Sequence, residues 1–162
     1  MSFKDTLYDQ DFYAWTQEQA ALLREGAVEE LDLTNLAEEV EDLGHSQQDK
    51  LASHLLVLLT HLLKLQLAAS HCPHDYARAA PGWHLTCRAQ RLQIAKVLRR
   101  NPRLRSTVAA ELVEAYEIAR LEATQALAID EDLIPERSPW SEIEVLDPTF
   151  WPGDASDTTP LS

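Results

Sequence analysis

Apolar positions between residues 33 and 65 recur with the period of a helix. Leu33, Leu36, Val40, Leu43, Leu51, Leu55, Leu58, Leu62 and Leu65 are separated by three, four or eight residues, so they line one side of a helical rod. Asp32 stands where an N-cap belongs, its carboxylate placed to accept from the free N–H groups of the first turn. Unbroken to Ala68, such a helix would be about 55 Å long at ~1.5 Å per residue. That is long for a chain of 162 residues, so a kink is expected at Gly44, where Ser46 and Asp49 form a second cap box.

The same pattern predicts three further helices. Phe12, Trp15, Gln19, Leu22 and Leu23 give a stripe to a first helix over Asp9 to Glu25, with Gly26 suited to a left-handed C-terminal cap. Trp83 to Arg100 forms a third helix, and about Pro102 to Ala128 a fourth whose first turn is irregular near Ser106. Asn101 and Pro102 mark the junction, as N-cap and first helical residue. Between the second and third helices, Pro73, Pro81 and Gly82 predict a loop holding His71, Cys72, His74 and Asp75. Beyond Asp130, Ser138 and Pro139 start a short helix to about Val145. Leu133, Ile134, Trp140, Ile143, Leu146, Phe150 and Trp151 require the surrounding tail to pack. The expected fold is all-α, with four main helices in an up-and-down bundle and the short helix and aromatic tail packed on it. It forms one domain over 1–153, followed by a segment of disordered composition at 154–162.

Composition supports this, with few glycines and abundant Leu, Ala and Glu. Charge adds information. The net −13 divides into an acidic block to Asp49 (thirteen acids, two bases), a basic block from Lys50 to Ala110 (ten bases, one acid) and a second acidic block (thirteen acids, two bases). Intramolecular neutralisation is the preferred reading, with Arg88, Arg91 and Arg99 facing acids of neighbouring helices. Bases in RAQRLQIAKVLRRNPRLR have no interleaved aromatic, so nucleic acid is not an expected partner. No run is long enough to cross a bilayer, and the acidic N-terminus lacks the apolar stretch of a signal peptide. Two cysteines without an export signal are expected as thiols in a cytoplasm.

LYDQDFYAWT, LDLTNLAEEVEDLG, HLLK, ELVEAYEIAR and the closing LDPTFWP, in that order, resemble the bacterial domain-of-unknown-function 29 family. The resemblance spans Thr6 to Pro152. It implies a small, mostly helical fold and no particular reaction. Onto the family's pattern fall Asp11, Trp15, Glu39, Asp42, His61 and Lys64.

Candidate chemistry is sparse. His54 and His61, seven apart, share a helix side, and the preferred reading for them is a partly buried histidine hydrogen-bonded to a neighbouring helix. Tyr8, Phe12, Tyr13 and Trp15 read as a core anchor rather than a stacking platform. Asp42-x-x-His45 and Glu114-x-x-Glu117 are a poor match to di-metal bundles. Cys72, His74, His84 and Cys87 are the best zinc-type ligand set, though the Cys-x-His spacing is tight. No bound metal and no cofactor are expected. The leading function is a non-enzymatic binding or accessory protein of the cytoplasm, acting through a protein partner or as a homo-oligomer. The alternative is a small, possibly metal-dependent enzyme with a site at Asp11, Glu39, His61 and Lys64.

Overall fold

The computed structural model describes residues 6–153. The segment 154–162, expected to lack structure, lies outside the described residues. The fold is all-α, as the periodicity predicts: 82% helical, with no strand among the described residues. Its main helices are α1 (Leu7–Gln10), α2 (Phe12–Glu25), α3 (Leu33–His71), α4 (Pro73–Arg100), α5 (Val108–Leu127) and α6 (Glu142–Leu146). The chain divides into two compact units, Met1–Ser46 and Gln47–Ser162.

In the first unit the expected single helix is two. Asp11 leaves helical geometry and caps α2, its carboxylate accepting from the Ala14 N–H at 2.9 Å. Gly26 closes α2 in the left-handed conformation (φ 73°), as its position predicts. The turn into α3 is tied by Asp32. Its carboxylate accepts from the Asn35 side chain (2.7 Å), the Trp15 indole (3.2 Å) and the Asn35 backbone (3.3 Å). Its own N–H donates to Gln19 Oε1 at 2.8 Å. These bonds, the Asn35 side chain foremost, hold the Asp32 carboxyl below its ordinary value. Helix α3 passes through Gly44 without a break, so the second cap box is not used.

The second unit is a three-helix bundle whose directions follow from its side-chain bonds. His54 and Lys64 of α3 meet Gln90 and Trp83 of α4, so numbers rise along one helix as they fall along the other. Gln48 and Thr60 of α3 meet Glu111 and Glu122 of α5, so those two run parallel. Leu51, Leu55, Leu58, Leu62, Ile94 and Tyr116 are buried between them. By length and composition α3 could cross a bilayer, and 56% of its apolar window is buried inside the protein.

The predicted loop is absent. A single residue, Cys72, separates α3 from α4, and the residues from Pro73 to Gly82 are helical. Pro73 does end α3, but as the first residue of α4, where its missing N–H costs nothing. Pro81 lies inside the helix and deprives the Ala77 carbonyl of its donor. Both residues are exposed, so water can reach that carbonyl, while Tyr76, Ala80, Trp83 and Cys87 keep the other side docked on the core. Packing outweighs the local signal.

The start of the fourth helix is irregular, as expected: a 3₁₀ segment over Pro102–Thr107 precedes α5. The tail packs: Ile134 and Val145 are buried, and Trp140, Leu146 and Trp151 lie against the core. Its short helix begins later than predicted, because Ser141 rather than Ser138 forms a capping box with Glu144.

The expected neutralisation of the basic block does not occur. Among the described residues the ion pairs are Arg78–Asp75 and Arg120–Glu131, while Arg88 and Arg99 are exposed. Arg91 is buried, and it bonds carbonyls rather than acids. Nε donates to Val145 O (2.9 Å) and Nη2 to Phe150 O (3.0 Å), with the guanidinium 4.9 Å from the centre of the Trp151 ring.

Two variants test these features. Pro81→Ala should stabilise the protein by about 1–3 kcal/mol in thermal or denaturant unfolding, because it restores a helical hydrogen bond; a lower Tm would mean that 73–82 is not helical. Asp32→Ala should cost about 1–2 kcal/mol, as N-cap removal does, and an unchanged unfolding curve would show the turn to be held by other contacts.

Candidate functional site

A groove of about 900 Å³ lies between α5 and the segment that follows it. Ala109, Leu112, Val113, Tyr116, Glu117, Arg120 and Leu121 face it at steps of one helical turn. The opposite wall carries Glu131, Glu136, Arg137, Ser138, Trp140 and Glu142. Two bonds set the wall's distance from the helix. The Tyr116 hydroxyl donates to Pro135 O at 3.0 Å, and Arg120 Nη2 to Ile134 O at 3.3 Å. Arg120 also reaches Glu131 at 3.5 Å and leaves its buried Nε without a hydrogen-bond partner. Burial pushes the Tyr116 phenol above its ordinary value, so it remains a donor at neutral pH. On the helix side Val113 and Leu121 are more than half exposed, which places apolar surface beside four carboxylates and two guanidinium groups. Such a surface can hold an amphipathic ligand, since apolar area supplies attraction and the charged rim orientation.

The residues singled out for catalysis each have a structural bond or contact. Asp11 caps α2, and Glu39 accepts from the Tyr8 hydroxyl at 2.6 Å. That bond, with smaller contributions from burial and nearby acids, raises Tyr8 to about 12. Both belong to the first unit, whereas His61 and Lys64 belong to the second. His61 Nδ1 lies 2.8 Å from Val57 O, and Lys64 sits over the Trp83 ring at 5.8 Å. Burial pushes the His61 imidazole below its ordinary value, opposed by the Val57 carbonyl and assisted by the Lys64 charge. His54 bonds Gln90 of α4 at 2.6 Å, the bond to a neighbouring helix expected of it, whereas the bond of His61 stays within its own helix.

The zinc-type residues are likewise dispersed in role. Cys87 is fully buried, and burial pushes its thiol up to about 12. Cys72 is half-buried, its Sγ 3.7 Å from Leu127 O, and His74 is exposed. His84 stands edge-on to Trp151 with centroids 4.3 Å apart. Among the described residues no three His, Cys, Asp or Glu side chains are grouped to hold a metal ion. In the first unit Trp15 is buried against Tyr8 (4.8 Å) and Phe12 (5.6 Å), so the aromatic anchor forms in part: Phe12 is half exposed and Tyr13 faces solvent. The groove itself was missed. Its only sequence signal was Val113 and Leu121 lying beside the main apolar stripe of their helix.

Fold and groove together define a small all-helical protein with an open apolar cleft. The chain belongs to the family described as Domain of unknown function DUF29, whose model matches residues 7–151. No curated protein and no solved structure matches it.

The thiols give a direct check. A folded Cys87 thiol near 12, against an ordinary 9.0, favours the fold fully below pH 9; that contribution is lost as pH rises towards 12. At pH 8 an aromatic disulfide reagent should therefore titrate Cys72 alone in native protein, and Cys87 only in denaturant. Rapid reaction of two thiols without denaturant would contradict this burial.

Proposed function

We propose that this protein is a non-enzymatic binding protein whose groove along α5 receives an amphipathic segment of a partner protein. The observation that carries the reading is the groove's make-up: exposed Val113 and Leu121 beside Leu112 and Trp140, inside a rim of Glu117, Glu131, Glu136 and Glu142. Helical segments dock in such grooves through apolar side chains at one-turn spacing. Of the two rim cations, Arg120 is engaged by Glu131 and the Ile134 carbonyl, so the free charge of the rim is negative. The matching segment is basic on its polar face. The structural bonds held by Asp11, Glu39 and His61 further support a binding rather than a catalytic role.

A model helix of alternating Leu and Lys faces is the probe, followed through Trp140 fluorescence, with its Leu/Glu counterpart as control. The Leu/Lys helix should bind at least tenfold more tightly. Val113→Glu or Leu121→Glu, both at exposed positions that leave the core intact, should weaken it by a further tenfold or more. Equal binding of the two helices, or indifference to both substitutions, would refute the assignment.

A further inference from the structure

Arg91 is buried on α4, and one of its nitrogens has nothing to bond. Nε and Nη2 donate to the Val145 and Phe150 carbonyls, while the buried Nη1 has no hydrogen-bond partner among the described residues. A shielded donor left empty costs free energy, because it has lost water without gaining an acceptor. Asp147 favours the charge from a distance but forms no ion pair with it.

Arg91 also lines a pocket of about 380 Å³ between α4 and the end of α6, separate from the groove along α5. Arg88, Arg91, Leu92 and Ala95 fall at i, i+3, i+4 and i+7, which is one face of the helix. Leu146 and Pro148 form the other wall. Arg88 is exposed and has no ion pair among the described residues. No acid occurs between Tyr76 and Ala110, so the two guanidinium groups meet only apolar neighbours within the lining.

Those walls specify a ligand. Two fixed positive charges call for an anion, and a planar guanidinium suits an acceptor with two coplanar oxygens. The apolar remainder calls for a hydrocarbon body. A dianionic phosphate has more hydration to lose in such a lining than a carboxylate has. A lone water could satisfy Nη1, but it fills only ~30 Å³ and would leave most of the space empty. We infer that this pocket binds a small organic monocarboxylate, held by the guanidinium groups of Arg91 and Arg88, with its hydrocarbon part against Leu92 and Leu146.

Octanoate is the probe, titrated into the full chain by calorimetry, with octanol, octylamine and inorganic phosphate as controls. It should bind one to one and roughly tenfold or more tightly than any control. The Tm should rise with its concentration, since the ligand bridges α4 and the tail of the folded chain. Arg88→Ala should weaken binding by roughly fivefold or more, and Leu92→Glu should abolish it. Both positions are exposed, so the helical circular dichroism spectrum should not change. Arg91→Lys keeps the charge without the planar fork and should weaken octanoate by roughly tenfold or more. If that variant does not fold, the two exposed substitutions still decide the matter. The inference is overturned if octanoate does not bind, or if any control binds as tightly. It is overturned equally by binding that survives Leu92→Glu but is lost in Val113→Glu, which would put the ligand in the groove along α5.

Discussion

A guanidinium cannot shed its proton to escape burial, and Arg91 is 95% covered. Its charge is tolerated because the polypeptide after α5 returns to meet it. The carbonyls of Val145 and Phe150 accept from Nε and Nη2, Trp151 offers its ring face and Asp147 adds a favourable field, while the buried Nη1 has no hydrogen-bond partner among the described residues. Leaving such a charge unmet in the interior costs several kcal/mol, so the tail is part of the domain rather than an appendage. The dependence runs both ways. With Val145 held at full burial, the α6 capping box and the Trp140–Phe150 contact (6.1 Å) fall into place, and they fix the far wall of the groove. One base on α4 thus governs the shape of a surface on α5.

Much of this was legible in the sequence. Helix α3 declared itself by periodicity, α2 by its glycine cap, and the irregular start of the fourth helix by Asn101-Pro102. Each of those signals is local, and nothing in the tertiary structure opposes it. The stretch from Pro73 to Gly82 was not legible, because two prolines and a glycine speak only for the backbone. They are outvoted by a core-facing stripe whose value depends on helices distant in sequence. Arg91 was hidden for the same reason: among six neighbouring bases it looks like any other, and only the fold makes it the buried one.

Periodicity also has a limit of kind. It tells which face of a helix is apolar, not whether that face is covered. Leu33, Val40 and Leu43 read like Leu51 to Leu65, yet the first three face water and the second set is the centre of the bundle. Candidate sites suffered from a related ambiguity. Histidines, acids and cysteines at suggestive spacings turned out to be caps, helix-to-helix bonds and a buried thiol, all of which draw on the same residue types as catalysis.

Cys72 is the only residue between two helices of 39 and 28 residues. A connector that short leaves almost no chain to be restrained when α3 and α4 come together, whereas Arg91 must wait for partners more than fifty residues downstream. Loop-closure entropy therefore favours early pairing of α3 with α4 and late closure of the tail. Folding rates should accordingly respond to truncation at Leu58 or Ile94, and unfolding rates to truncation at Val145; the reverse pattern would place the tail in the nucleus. A chain still missing its last thirty residues would already hold its hairpin, with one positive charge waiting on its surface to be covered.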